Sequence, residues 1–206
     1  MMVTDMTHYD GIAELDPDKH RPLFRLVDHL GAIVKAGCLA PAGETVATGI
    51  ACMRRPRNHP CLGFMLIHRV DVPSKLEWRC PQCGDEGVIR NFRGTIWDIG
   101  VQDAERGEVA PQITARVSPA EFAAVRRMTT TDPDSERVIY RARHEAGLIV
   151  VSGDEDDLTH LAGLIADEAV EERNARRRAD LNAAFDRINS EFGPLPWDDG
   201  STTRTF

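Results

Sequence analysis

Apolar residues recur every three or four positions through "DPDKHRPLFRLVDHLGAIVKAG". Leu23, Leu26, Val27, Leu30, Ile33 and Val34 then share one side of a helix, and Gly37 reads as its stop. The pattern next shortens to β-like runs: "VATGIAC", "CLGFMLIHRVDV", "KLEWRC" and "GVIRNFRG". Turn residues separate them, which predicts a small antiparallel sheet. A second change of style follows "GVQDAERGEVAPQ". "ITARV" predicts a strand, and Ser118, Pro119 and Glu121 predict a capped helix start running to about Met128. In "RVIYRAR", Val138, Tyr140 and Ala142 alternate, so this stretch and "LIVVS" are expected to pair as a hairpin around "HEAG". Ser152 with Glu155 suggests the cap of a long last helix, with Leu158, Leu161, Ile165, Ala169, Leu181, Phe185 and Ile188 facing inward. The middle of that helix, "EERNARRRAD", has no apolar stripe and reads as solvated, kinked or projecting.

The fold class expected is α+β in two parts. Residues 17–99 form a helix with a small antiparallel sheet, and residues 113–191 form a β-α-β-β-α unit ending in a long helix. Residues 100–112 read as a linker, and residues 1–16 and 192–206 as flexible ends.

Charge changes this picture locally. The chain carries a net charge of −8, yet residues 1–100 hold 12 basic and 12 acidic side chains, so the deficit lies in the second half. Within residues 50–93, eight basic residues face four acidic ones. Bulk acidity disfavours general nucleic-acid binding and leaves room for a local basic module. No apolar run spans a bilayer and no secretory signal is visible, so a cytoplasmic protein without membrane contact is expected.

Five cysteines in a reducing compartment point to metal ligation, catalytic thiols or buried thiols rather than disulfides. "WRCPQCGDEG" holds Cys80 and Cys83 in a C-x-x-C turn followed by Gly84. Such a turn directs two sulfurs inward and aims backbone amides at them; a glycine after it takes a left-handed conformation without strain. Cys52 ends one predicted strand and Cys61 opens the next, so a hairpin would bring them to the same end. The spacing C-x8-C-x18-C-x2-C thus favours a four-thiolate zinc site. Buried thiols rank second, and a thiol redox pair at Cys80 and Cys83 third, because strand rather than helix follows the motif. An iron–sulfur cluster uses the same ligands. His59 and His68 are reserve ligands, and Cys38 is a spare thiol.

"WRCPQCGDEGVI" resembles the knuckle and strand of a zinc ribbon over residues 46–98. "CPQCGDEG…GTIWD" with the acidic, then Arg-rich last helix is similar to an uncharacterised bacterial protein family. The ribbon resemblance implies a structural Zn2+ at Cys52, Cys61, Cys80 and Cys83, although the wide first pair departs from the usual spacing.

Arg54, Arg55 and Arg57 sit between two of those cysteines and are candidates for nucleic-acid contact. A solvated rim is the favoured reading of these arginines. No serine elbow, phosphate loop, zinc-protease motif or dinucleotide fingerprint occurs, and "GDEDD" fits a helix start better than a Mg2+ site. The sequence therefore leans away from an enzyme. It favours an interaction or regulatory protein with another protein as partner, and leaves the oligomeric state open.

Overall fold

The computed structural model describes residues 2–100 and 112–192. The expected linker lies almost wholly outside the described residues, as does the expected tail beyond residue 192.

The fold is α+β. Eight strands, β1 (Met2–Asp5), β2 (Thr45–Ala51), β3 (Phe64–Asp71), β4 (Ser74–Arg79), β5 (Glu86–Arg90), β6 (Ile113–Val117), β7 (Arg143–Glu145) and β8 (Leu148–Gly153), join in one sheet. Their order is β1-β5-β4-β3-β2-β7-β8-β6. Neighbours run antiparallel except β1 and β5, which are parallel. Five α-helices accompany them among the described residues: α1 (Arg21–Leu39), α2 (Pro119–Val125), α3 (Pro133–Arg141), α4 (Glu155–Glu171) and α5 (Ala175–Asn189). None of the described helices is long and apolar enough to cross a membrane.

Two buried clusters divide the interior. In the first, Leu30, Ile33 and Val34 of α1 meet Met65, Ile67, Leu76 and Ile89 of the sheet. In the second, Val117, Ile149 and Val151 meet Leu158, Leu161 and Ile165 of α4 and Leu181, Ala184 and Ile188 of α5. The sheet joins the halves through β2 and β7, where Thr48 pairs with Arg143. Thr48 is buried, and its hydroxyl donates to the Met65 carbonyl at 2.9 Å.

Several local expectations change. Residues 2–5 are not a frayed end but a strand: Val3 pairs with Val88, and Met6 just beyond is fully buried. Gly37 is not a helix stop. It lies inside α1, where a Cβ would come within 2.6 Å of the Leu76 side chain, so its role is close packing. "RVIYR" is helical, not extended. Asp132 caps α3 by accepting from the amides of Asp134 and Ser135, and Pro133 pre-sets its first turn. Val138, Ile139 and Ala142 then face inward at spacings of one and four. The hairpin survives in a shorter form, as Arg143–Glu145 against Leu148–Gly153.

The expected capping box is present: the Glu121 amide donates to Ser118 Oγ at 3.2 Å, and the Ser118 amide donates to Glu121 Oε2 at 2.7 Å. Ser152 is not the cap of α4, because it still pairs with Thr114 in the sheet; Asp154 takes that role, accepting from the Asp157 amide. The long helical ending bends at residues 172–174. There Glu172 is extended and Asn174 caps α5, while Arg177 clamps the bend through ion pairs to Glu168 and Glu172.

Candidate metal centre

The centre forms at one end of the first half, where two chain reversals meet. β2 and β3 approach each other antiparallel, and their ladder extends past the strand ends. The Cys52 amide donates to the Gly63 carbonyl at 2.8 Å, and the Cys61 amide to the Arg54 carbonyl at 2.9 Å. These bonds fix the two ends of the Met53–Pro60 loop and set Cys52 and Cys61 at its mouth. The second reversal joins β4 to β5. The Cys80 amide donates to the Asp85 carbonyl at 2.7 Å, and the Gly84 amide to the Cys80 carbonyl at 3.0 Å. Gly84 has φ +72°, the left-handed conformation that a glycine adopts without strain.

All four sulfurs lie within 4.8 Å of one another. Cys52 and Cys83 are 3.6 Å apart, and Cys61 and Cys80 are 3.7 Å apart. A tetrahedron with metal–sulfur bonds of about 2.3 Å has edges of about 3.8 Å, whereas a disulfide brings sulfurs to about 2.05 Å. The cysteines are free, and these two separations lie near a tetrahedral edge and far from a disulfide bond. Among the described residues this is the one group of His, Cys, Asp and Glu that could hold a metal ion.

The backbone supplies a second regularity. Backbone amides meet every sulfur: Arg54 at Cys52, Gly63 at Cys61, Cys83 and then Gln82 at Cys80, and Asp85 at Cys83. N–H groups aimed at sulfur favour thiolate over thiol. For Cys83, which is only half-buried, the Asp85 amide is the main influence and the thiol is more acidic than usual. Burial dominates at Cys52 and Cys80 and pushes both thiols up. A cation among them would replace those protons and remove that penalty. Gly63 completes the packing, because a Cβ there would come within 2.5 Å of Cys80 Sγ.

Compared with protein-family models, with curated proteins and with solved structures, the chain matches none.

The remaining candidates are placed as follows. His59 is exposed on the loop. His68 lies toward the far end of β3, with Nδ1 3.2 Å from Thr45 Oγ1 and 3.1 Å from the Glu44 carbonyl. Cys38 is buried in the last turn of α1, where its thiol donates to Asp98 Oδ1 at 3.2 Å and burial pushes its pKa up to about 12. Arg54 reaches Asp85 at 3.5 Å, which ties the two reversals together. Arg55 and Arg57 are exposed, and Arg57 has φ 53°. The C-x-x-C turn sits between two antiparallel strands and not at a helix start, so no helix dipole acidifies its first cysteine. Residues 154–157 form the cap and first turn of α4.

Sequence reasoning placed amides at Cys80 and Cys83 but missed the role of Gly63 and the amides that meet Cys52 and Cys61. The Cys-Leu-Gly string at 61–63 carries the only trace of it. It also missed Arg25, His29, Arg126 and Arg127, which the fold brings beside the loop from α1 and from the end of α2. Some 30 to 70 residues separate them from the loop, and no local pattern marks that proximity.

Proposed function

We propose that Cys52, Cys61, Cys80 and Cys83 hold one structural Zn2+, and that the protein is a non-enzymatic interaction or regulatory module of a reducing compartment. The observation that carries this reading is the pairing of sulfur separations near a tetrahedral edge with backbone amides aimed at every sulfur. Four thiolates fill the coordination shell and leave no position for water or substrate, which favours a structural over a catalytic ion. Zinc with four thiolates carries a net charge of −2, and the arginines of the 53–60 loop supply nearby positive charge. The ribbon resemblance of residues 46–98 supports the same assignment.

Elemental analysis of protein purified without chelator tests it. About one zinc per chain is expected, and Cys80→Ser should lower it sharply. Less than about half an equivalent, in protein that is otherwise folded, would refute the zinc assignment. Iron in its place, with visible sulfur-to-iron absorption, would transfer the site to iron chemistry.

A further inference from the structure

A cleft of about 800 Å3 opens beside the cysteine loop, between α1 and the end of α2. Its walls carry Arg25 from α1, Arg54 and Arg55 from the loop, and Arg126 and Arg127 after α2. Asp28 is the single carboxylate among the lining residues. Arg54 is partly committed to Asp85. Arg25, Arg55, Arg126 and Arg127 make no ion pair with any described residue. Arg126 lies over the Tyr140 ring at 5.9 Å, and its Nε is buried without a hydrogen-bond partner among the described residues.

His29 adds a second, independent feature. It lines the same cleft, the residue is 9% exposed, and its Nε2 is buried without a hydrogen-bond partner among the described residues. Burial first, and then the Arg126 guanidinium, push its pKa down to about 4, so the imidazole is neutral near pH 7. Buried polar groups are normally satisfied, and two unsatisfied ones at one opening, His29 Nε2 and Arg126 Nε, call for an explanation. Concentrated positive charge in a protein of net charge −8 calls for the same one.

We propose that this cleft binds a small ligand carrying two or more phosphate groups, held by Arg25, Arg55, Arg126 and Arg127. The guanidiniums come from three separate segments, so a single phosphate would satisfy only part of them. Arginine presents paired N–H donors that match phosphate oxygens. The acidic second half opposes a long polyanion that would run beyond the cleft, which favours a compact oligophosphate over a nucleic-acid strand. Positive charge from α1 and α2 makes the site independent of the identity of the metal.

Calorimetric titration of the full chain, as purified and at low salt, with inorganic tripolyphosphate is the test. Saturable binding at one site per chain is expected, weakening as salt rises. Arg25→Ala and Arg127→Ala, both at exposed positions, should each weaken it about tenfold. Arg55→Ala on the loop provides an independent third variant. Arg90→Ala, an exposed change on β5 outside the cleft, should leave affinity unchanged. No binding, or an equal loss in Arg90→Ala, would overturn the proposal. Binding of an oligo-dT dodecamer without binding of tripolyphosphate would also overturn it, in favour of a strand-binding surface. Zinc content measured on the same samples separates this outcome from the fate of the metal assignment.

Discussion

Two loops of the molecule show two ways of fixing irregular chain. The loop between α2 and α3 is held by its own side chains. Met128 is buried in the second cluster, Thr129 bonds to Glu168 through both amide and hydroxyl, and Asp132 caps the next helix. The loop between β2 and β3 is the opposite case. Every residue from Met53 to Pro60 is exposed, so the segment contributes no apolar anchor. Beyond one short turn at Pro56–Asn58 and the Arg54–Asp85 ion pair, it is fixed at its two ends, and both ends are cysteines. A loop without buried side chains needs cross-links to offset its conformational entropy, and a metal bound at both ends would provide them.

The largest test of that contrast is removal of the metal on the zinc reading. Chelation, or Cys80→Ser, should remove a contribution on the order of 10 kcal/mol from the first half. Hydrogen exchange should accelerate through β2 to β5 and far less around α4 and α5; uniform acceleration across both halves would break the distinction. Acidification should act in the same direction, because protons compete with metal for thiolates, and zinc release followed against pH would reveal it.

Next in size is the reverse experiment in the second half. Leu158→Ala removes a fully buried side chain and should destabilise the protein by about 2–5 kcal/mol in denaturant unfolding, with zinc content unchanged. A third change sharpens the contrast at the sulfurs. Gly63→Ala places a methyl group against Cys80 Sγ and should cost about 1–3 kcal/mol, with weaker zinc retention under chelator competition. Gly37→Ala crowds Leu76 instead and should cost a similar amount without that weakening.

The smallest effect is at the α3 cap. Asp132→Ala should cost about 1 kcal/mol. Burial raises the Asp132 pKa, but hydrogen bonds from the Ser135 hydroxyl, the Ser135 and Asp134 amides and His160 outweigh it and hold the carboxyl well below its ordinary range. A carboxyl whose folded pKa is depressed adds stability above its unfolded value and loses it as pH falls through the folded one. The variant should therefore show a shallower loss of stability than the parent below about pH 4.

The sequence made the cysteine end of the molecule legible because its signals are local. Strand, turn and thiol follow one another, and the hairpin geometry that brings Cys52 to Cys61 needs only two neighbouring strands. The capping box at Ser118 and Glu121 was readable for the same reason. Other features were hidden by competition between equally valid local patterns. Val138, Tyr140 and Ala142 satisfy a period of two, while Val138, Ile139 and Ala142 satisfy a helix; the Asp132–Pro133 start decides for the helix. Ser152 and Asp154 both suit a cap, and pairing of Ser152 with Thr114 settles which one is free. The parallel placement of β1 beside β5 and the arrival of Arg126 near the cysteine loop depend on the whole topology, so no short window contains them.

Strand β2 belongs to both halves at once. Thr48 in its middle pairs with β7, and three residues after Thr48 the strand ends beside Cys52. Whichever half orders first thus offers the other a finished edge on which to build. The seam itself is narrow, a single residue pair between β2 and β7, so the halves can share one sheet and still lose their order separately.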